Sequence, residues 1–598
     1  MERKIKIALA SPTIRLCDPE YNVSLLLNAA LEAAGCGSQI IAFPELALTG
    51  ATAGDLYFQE ALTDAAASAL TSYIDGTRDL GITSFLGLPI SDGGKIYNAV
   101  VCVRSGKILG ATAKGGGEES FFSLPTGVHK MSLGGLEFEI SRDSVYTHEP
   151  TRAEIFVKIG DDDASCTGGV DLILNPRATA EYVGLSESRR SFAENLSYQL
   201  DISFAAVGAG IGESGTDGIY SGARIVATKG RTVAVSDPFD EKILYAELLL
   251  DSMREEPELE AGDAVMRMPF VPEDEEECRR ACELAIELQA RALALRMERA
   301  YAKSLVLGVS GGLDSTLAIL VSARAVDILG LERTRVIAIT MPCFGTTERT
   351  KTNALALAEE LGCTLRTIDI KAAVTQHFTD ISHDPESYDV VYENAQARER
   401  TQILMDVANA EGGMVVGTGD LSELALGFAT YNGDHMSMYA VNASVPKTLM
   451  RAIILNEATR AASLGKDKLA HILTDVVNTP VSPELLPTEN GENKQHTETI
   501  IGPYELHDFF LYYTVKYGYS PKRIYELARE AFREYSGADI SRYLSVFVRR
   551  FFSSQFKRSC MPDGPRVTEI SLSPRASWHM PSDVSSAVWQ RLIPCEDN

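Results

Sequence analysis

The chain has 598 residues, more than one compact core usually supports, and sets 82 acidic against 56 basic side chains for a formal net charge of −26. That excess repels polyanions and excludes a broad nucleic-acid-binding surface, and a composition of 45% apolar and 23% charged residues excludes wholesale disorder. Local cations and helix N-termini can still hold a small anionic substrate. The 10 cysteines include no CxxC pair, so no disulfide framework or zinc ribbon is expected, and a reducing cytoplasm is the simplest compartment. The start, MERKIKIALASPTIRLCDPE, lacks the apolar run of a secretory signal, and no stretch of about 18 apolar residues reads as a membrane span.

Short apolar runs at residues 5–9, 39–43, 84–88, 97–103, 170–175 and 203–208 predict strands, and periodic patterns at 24–34, 60–74 and 185–200 predict helices. Together they predict an α/β layered unit over residues 1–255. Residues 256–285 read as an acidic, proline-containing linker running into a helix whose first turn suits carboxylates. That helix continues to about Ala302. Beyond it come a strand at 304–309, a helix at 316–329, a strand at 335–341, a helix at 350–361, and strands at 364–370 and 414–417. Strands separated by single helices predict a doubly wound parallel sheet over 286–598, with ligands at the carboxyl ends of its strands. Residues 504–551 read as helical and the tail as loop.

The densest chemistry lies in Leu305-Val306-Leu307-Gly308-Val309-Ser310-Gly311-Gly312-Leu313-Asp314-Ser315-Thr316. A strand runs into two glycines and a helix begins at once, so backbone N–H groups converge on one spot. Ser310, Ser315 and Thr316 add hydroxyls, and Asp314 offers a carboxylate for the metal that accompanies a polyphosphate. The Walker pattern GxxxxGK[ST] is absent. This SGGxDS pattern resembles the signature of the PP-loop ATP pyrophosphatases. The likeness implies that ATP loses pyrophosphate while a substrate carboxylate becomes an acyl-adenylate, which ammonia opens to an amide.

Farther on stand Glu393-Asn394-Ala395-Gln396-Ala397-Arg398, Gly417-Thr418-Gly419-Asp420-Leu421-Ser422-Glu423, Gly433-Asp434, Pro446-Lys447-Thr448 and Gln555-Phe556-Lys557-Arg558. This succession resembles the synthetase domain of the NAD synthetases. The resemblance implies a pyrophosphate loop of Ser310, Gly311, Gly312, Asp314 and Ser315, with Mg2+ held by Asp314 and Glu423. It implies ATP contacts at Arg398 and Thr418, and contacts with deamido-NAD and its phosphates at Asp434 and Lys447. It also implies a homo-oligomer. Another amidating PP-loop ligase, GMP synthetase-like, and a nucleotide-binding regulatory pseudoenzyme are the alternatives.

In the first half, Phe43-Pro44-Glu45-Leu46, Gly87-Leu88-Pro89, Tyr97-Asn98-Ala99 and Gly106-Lys107 through Lys114 resemble the nitrilase-like glutaminase domain of glutamine-dependent NAD synthetases. Such domains have an α-β-β-α layered fold and a Glu–Lys–Cys triad. Glu45 matches the base and Lys114 the lysine that holds the oxyanion. Ser141, in Ile140-Ser141-Arg142-Asp143, stands where the family has Ile-Cys-Glu-Asp. A hydroxyl in place of the thiol implies ammonia as the surer nitrogen source, with glutamine the other. Cys166 lies in an acidic stretch that would raise a thiol pKa, and is not read as the nucleophile.

Overall fold

In the computed structural model the described residues are 3–114, 121–133, 135–161, 169–251, 253, 265–345, 348–479 and 501–594, without the side chains of 348–351. The chain divides into two units, one of residues 1–214 with 219–260, the other of 215–218 with 261–598.

The first unit is built on strands β1 Lys4–Leu9, β2 Ile40–Ala42, β3 Thr83–Asp92, β4 Lys95–Arg104, β5 Lys107–Ala113, β6 His129–Leu133 and β7 Leu136–Ser141. There follow β8 Val145–His148, β9 Ala153–Val157, β10 Leu172–Arg177, β11 Ser203–Gly208, β12 Arg224–Thr228, β13 Arg231–Val235 and β14 Leu244–Leu249. They form an eight-stranded sheet, β14-β1-β2-β3-β4-β5-β7-β6, and a six-stranded sheet, β13-β12-β11-β10-β9-β8. Ile5, Ile7, Leu9, Phe85 and Val100 of the first sheet share one core with Ile155, Val157, Leu172, Leu174 and Val207 of the second. Helices α1 Pro19–Gly35 and α2 Glu60–Gly76 cover the outer face of the first sheet. Helix α3 Leu185–Leu200 covers the second. These are the four layers, α-β-β-α, expected from the resemblance.

The wholly buried strands were legible as apolar runs; β10 and β11 are buried at every position. Strands β5 to β9 and β12 to β14 were not: β7 (Leu-Glu-Phe-Glu-Ile-Ser) and β8 alternate buried with less buried residues, while β9 and β12 are mostly buried but only five residues long.

The second unit opens with α4 Glu275–Arg299, whose first turn is capped by Asp274 and carries Glu275, Glu276 and Glu277. Its sheet holds β15 Leu305–Gly308, β16 Val336–Thr340, β17 Thr364–Thr367, β18 Met414–Gly417 and β19 Tyr439–Ala440 in the order β17-β16-β15-β18-β19. Every pairing is parallel. The order of strands reverses between β15 and β18, which opens a crevice at their carboxyl ends. The helices are α5 Leu313–Ile328, α6 Glu348–Leu361, α7 Lys371–Asp380, α8 Val390–Ala410, α9 Leu421–Leu426, α10 Lys447–Ser463 and α11 Asp467–Val477, then α12 Tyr504–Val515, α13 Pro521–Ala531 and α14 Gly537–Ser553. Helix α5 begins three residues earlier than its periodicity suggests, directly after Gly312, so the glycine loop is shorter and tighter. Among the described residues no helix is long and apolar enough to cross a membrane.

Phe85 of β3 meets Tyr146 of β8 edge to face at 5.6 Å, joining the two sheets of the first unit. Phe85→Ala should destabilise that unit by about 3–5 kcal/mol. Calorimetry of the full chain should show one unfolding transition moving to lower temperature.

Candidate active site

The glycine loop lies at the switch point of the second unit's sheet. Gly311 takes φ +87°, the left-handed region that favours glycine. The loop is tied by its own hydroxyls: Ser310 Oγ accepts from the Gly312 N–H at 3.2 Å, and Ser315 Oγ accepts from the Ser310 N–H at 3.3 Å. Ser315 Oγ in turn donates to the Gly312 carbonyl at 3.3 Å. Thr316 Oγ1 is buried without a hydrogen-bond partner.

Beside the loop three helices begin close together. Asp314 is in the first turn of α5, Asp420 caps α9 by accepting the Glu423 N–H at 2.8 Å, and Lys447 is the first residue of α10. Lys447 Nζ lies 2.5 Å from Asp314 Oδ1, 2.7 Å from Asp420 Oδ2 and 3.1 Å from Glu423 Oε1. Three carboxylates thus face one ammonium. Burial, reinforced by the charge of Asp314, pushes Glu423 up to about 7, and burial holds Asp420 well above the usual carboxylate range. Burial works against the Lys447 ammonium, but the three carboxylates outweigh it and raise its pKa well above the ordinary lysine value. Oxygen atoms of Asp314, Asp420 and Glu423 lie within 4.8 Å of one another. An all-oxygen donor set with surplus negative charge fits a hard divalent cation such as Mg2+.

Behind the cluster, Asp508 of α12 accepts from Ser422 Oγ at 2.5 Å and from the Thr448 N–H and Oγ1 at 3.0 and 2.8 Å. Ser422 Oγ accepts the Lys447 N–H at 2.9 Å, so Asp508 ties the start of α10 to α9.

In front of it is a cavity of about 670 Å³, lined among others by Ser310, Gly312, Asp314, Ser315, Thr418, Glu423 and Asp434. This volume suits a nucleotide-sized ligand. Asp434 is exposed at the cavity wall, the protein packed around its carboxyl raises its pKa by desolvation, and it accepts the Thr430 N–H at 2.6 Å. Arg398, the expected ATP contact, is exposed on α8 and donates to the Tyr431 carbonyl at 3.3 Å, outside the cavity lining. Arg400, two residues on and on another face of the helix, stands in the cavity wall. Asp420 was not singled out by sequence, although its cap position in Gly-Thr-Gly-Asp-Leu-Ser-Glu was a usable signal.

The first unit holds a second polar centre. Glu45, in the loop after β2, is buried, and its Oε1 accepts from Lys114 Nζ at 2.8 Å and from Asn98 Nδ2 at 2.6 Å. Ser141 does not complete it. Its hydroxyl pairs with Ser144 Oγ at 2.9 Å at the end of β7. The residue against the pair is Gly160, just after β9. A Cβ built there would stand 3.1 Å from Glu45 Oε2 and 3.4 Å from Lys114 Nζ. Gly160 takes φ +60°, its N–H donates to the Pro176 carbonyl at 2.8 Å, and its carbonyl accepts from Asn175 Nδ2 at 2.8 Å. Among the described residues the structure thus sets Gly160 against the pair and Ser141 against Ser144. Ile159-Gly160-Asp161-Asp162 fits the Ile-Cys-Glu-Asp frame at least as well as Ile140-Ser141-Arg142-Asp143, and it follows an apolar strand, Ile155-Phe156-Val157. Cys166 lies outside the described residues.

Loop, carboxylate cluster and switch-point cavity define an ATP-pyrophosphatase ligase unit, carried on the same chain as a nitrilase-like layered unit. The family model described as NAD synthase matches residues 285–516, and that described as Carbon-nitrogen hydrolase matches residues 6–115. The second match includes Glu45 and Lys114 and ends one residue after Lys114. The glutamine-dependent NAD(+) synthetase of Mycobacterium tuberculosis is 33% identical, with 99% of this chain and 98% of that protein covered. That of Aquifex aeolicus is 27% identical over 96% of this chain and 99% of that protein. A glutamine-dependent NAD(+) synthetase structure from Cytophaga hutchinsonii shares the fold with a TM-score of 0.78 at 20% identity, covering 98% of this chain and 99% of that one. The chain belongs to the glutamine-dependent NAD(+) synthetase family, carbon–nitrogen ligases that amidate deamido-NAD to NAD. A GMP synthetase-like ligase is not favoured by these matches.

Asp508→Ala should leave Ser422 Oγ and the Thr448 N–H without their acceptor, at a cost of about 1–3 kcal/mol. The expected result is a lower melting temperature of the full chain in a thermal-shift assay.

Proposed function

We propose that the chain makes NAD by ATP-dependent amidation of deamido-NAD with free ammonia as nitrogen donor. The ligase half of this reading is carried by Lys447 and three carboxylates beside a glycine-rich helix N-terminus. Ser310, Gly312 and Ser315 hold the β- and γ-phosphates of ATP, while Arg400 and Thr418 line its site. The substrate carboxylate attacks the α-phosphorus, the bond to pyrophosphate breaks, and ammonia then displaces AMP from the acyl-adenylate. Asp314, Asp420 and Glu423 would hold Mg2+, which when bound supplies positive charge against the departing pyrophosphate. Lys447 offers a second positive charge to the phosphates, and Asp434 a carboxylate toward deamido-NAD. The solved relative from Acinetobacter baumannii, a complex with ADP at 20% identity and a TM-score of 0.63, supports a nucleotide in this fold.

The nitrogen source is read from the first unit. An amide is cleaved through an acyl intermediate only if a nucleophilic side chain meets the base and the oxyanion donor, and Glu45 and Lys114 converge on a glycine.

Asp314→Ala should reduce ATP–pyrophosphate exchange dependent on deamido-NAD by at least about 10³-fold, through loss of a metal ligand and of charge neutralisation. Exchange at the unaltered rate would remove Asp314 from this role. In a steady-state assay, ammonium chloride should support NAD formation while glutamine gives less than about one hundredth of that rate.

Proton linkage gives a further expectation. Glu423, raised to about 7 in the fold, favours the folded state when protonated, so without a cation its contribution to stability falls as pH rises from the ordinary carboxylate range through 7. A divalent cation reverses this by binding the ionised form. Mg2+ should therefore raise the melting temperature more at pH 8 than at pH 6, each read against the cation-free protein.

A further inference from the structure

We propose that position 160 decides the nitrogen donor. The first unit keeps a base and an oxyanion site packed against the Cβ direction of a glycine, and a thiol placed there by Gly160→Cys would turn it into a glutaminase. The inference rests on the ammonia reading above and deepens it, by assigning the lost function to one backbone position.

Three observations support it. A β-carbon at 160 points between Glu45 Oε2 and Lys114 Nζ, at 3.1 and 3.4 Å, so a sulfur one bond farther is within reach of both. The backbone is in the left-handed conformation, φ +60°, and anchored on both sides through Pro176 and Asn175, so a side chain placed there is strained and held in one direction. Strained positions of this kind recur at strand ends that present a nucleophile. Positive charge stands close in Lys114 and in Arg177, which is held by Asp161, and Glu45 beside it supplies the base that takes the thiol's proton.

The balanced step follows from these atoms. The introduced sulfur forms a bond to the amide carbon of glutamine, its proton passes through Glu45 to the amide nitrogen, and the carbon–nitrogen bond breaks to release ammonia. Lys114 holds the oxyanion meanwhile. Water then cleaves the thioester to glutamate and restores the thiol.

The experiment uses the full chain in four forms: unaltered, Gly160→Cys, Ser141→Cys and Cys166→Ser. Each is assayed for glutamate release from glutamine without ATP, for NAD synthesis from ammonium and from glutamine, and for alkylation by iodoacetamide, itself a small primary amide. Gly160→Cys should release glutamate at least about 10-fold faster than the unaltered chain. It should also be alkylated at position 160 several-fold faster than the exposed Cys36, an advantage lost when Lys114→Ala is added. Ser141→Cys should gain neither property.

Efficient glutamine-supported synthesis by the unaltered chain would sink the ammonia reading itself. If Cys166→Ser abolished that synthesis, the nucleophile would be Cys166. If the unaltered chain takes only ammonia and Gly160→Cys still makes NAD from ammonium, yet neither releases glutamate nor reacts faster than Cys36, the ammonia reading stands and this inference falls. Should the thiol variant not fold, Gly160→Ser tests the same geometry with a smaller atom. A burst of nitrophenolate from p-nitrophenyl acetate, dependent on Lys114, supports the inference, and its absence in the folded variant overturns it.

Discussion

The ammonium of Lys447 among Asp314, Asp420 and Glu423 is the interaction around which the second unit is arranged. Three helices, α5, α9 and α10, begin within a few ångströms of it, and helix N-termini carry partial positive charge that favours carboxylates. The buried charges hold one another in place, because removing one partner of such a group strands the rest at a cost of about 3–5 kcal/mol. The same network makes a surplus of negative charge at the mouth of a phosphate-binding loop. A site of this sign is completed by a cation arriving with its polyphosphate, so nucleotide and metal are expected to bind together rather than in sequence.

The position of the cluster follows from topology. A parallel sheet whose order reverses between β15 and β18 leaves no strand connection across that gap, and the loops after both strands turn away from it. The loop after β15 and the first turn of α5 supply Ser310 to Ser315, and the loop after β18 with the first turn of α9 supplies Thr418 to Glu423. Chemistry drawn from distant stretches of sequence therefore meets at one point, with the cavity as the remaining space between.

Much of this was legible beforehand where a residue's role is local. The glycine loop, Asp314 and Glu423 lie on short segments whose backbone is set by Gly, Ser and capping chemistry, and β18 was read with its observed bounds. What failed depended on tertiary phase. Arg398 and Arg400 sit about 200° apart around α8, and only packing decides which of the two faces the cavity. Asp420 looked like a plain helix cap, although one of its oxygens caps α9 while the other meets Lys447. Ile140-Ser141-Arg142-Asp143 at the end of β7 and Ile159-Gly160-Asp161-Asp162 just after β9 both offer an isoleucine shortly before an acidic residue, so sequence alone does not choose between them. The one strand between them, β8, alternates exposed with buried residues and gave no strong signal by which to count.

The Glu45–Lys114 pair in the first unit has a consequence for how this chain can change. Both side chains are largely buried, and Asn98 spends a buried amide on the same carboxylate oxygen. Losing the lysine would leave an uncompensated carboxylate inside the fold, and losing the glutamate an uncompensated ammonium. A side chain at 160 carries no such debt, since glycine is at ease at positive φ and leaves no charge behind. A glycine at such a position therefore costs the fold little, whereas removal of either member of the buried pair costs folding stability. On the reading proposed above, the order in which such a centre decays is set by burial rather than by chemical importance.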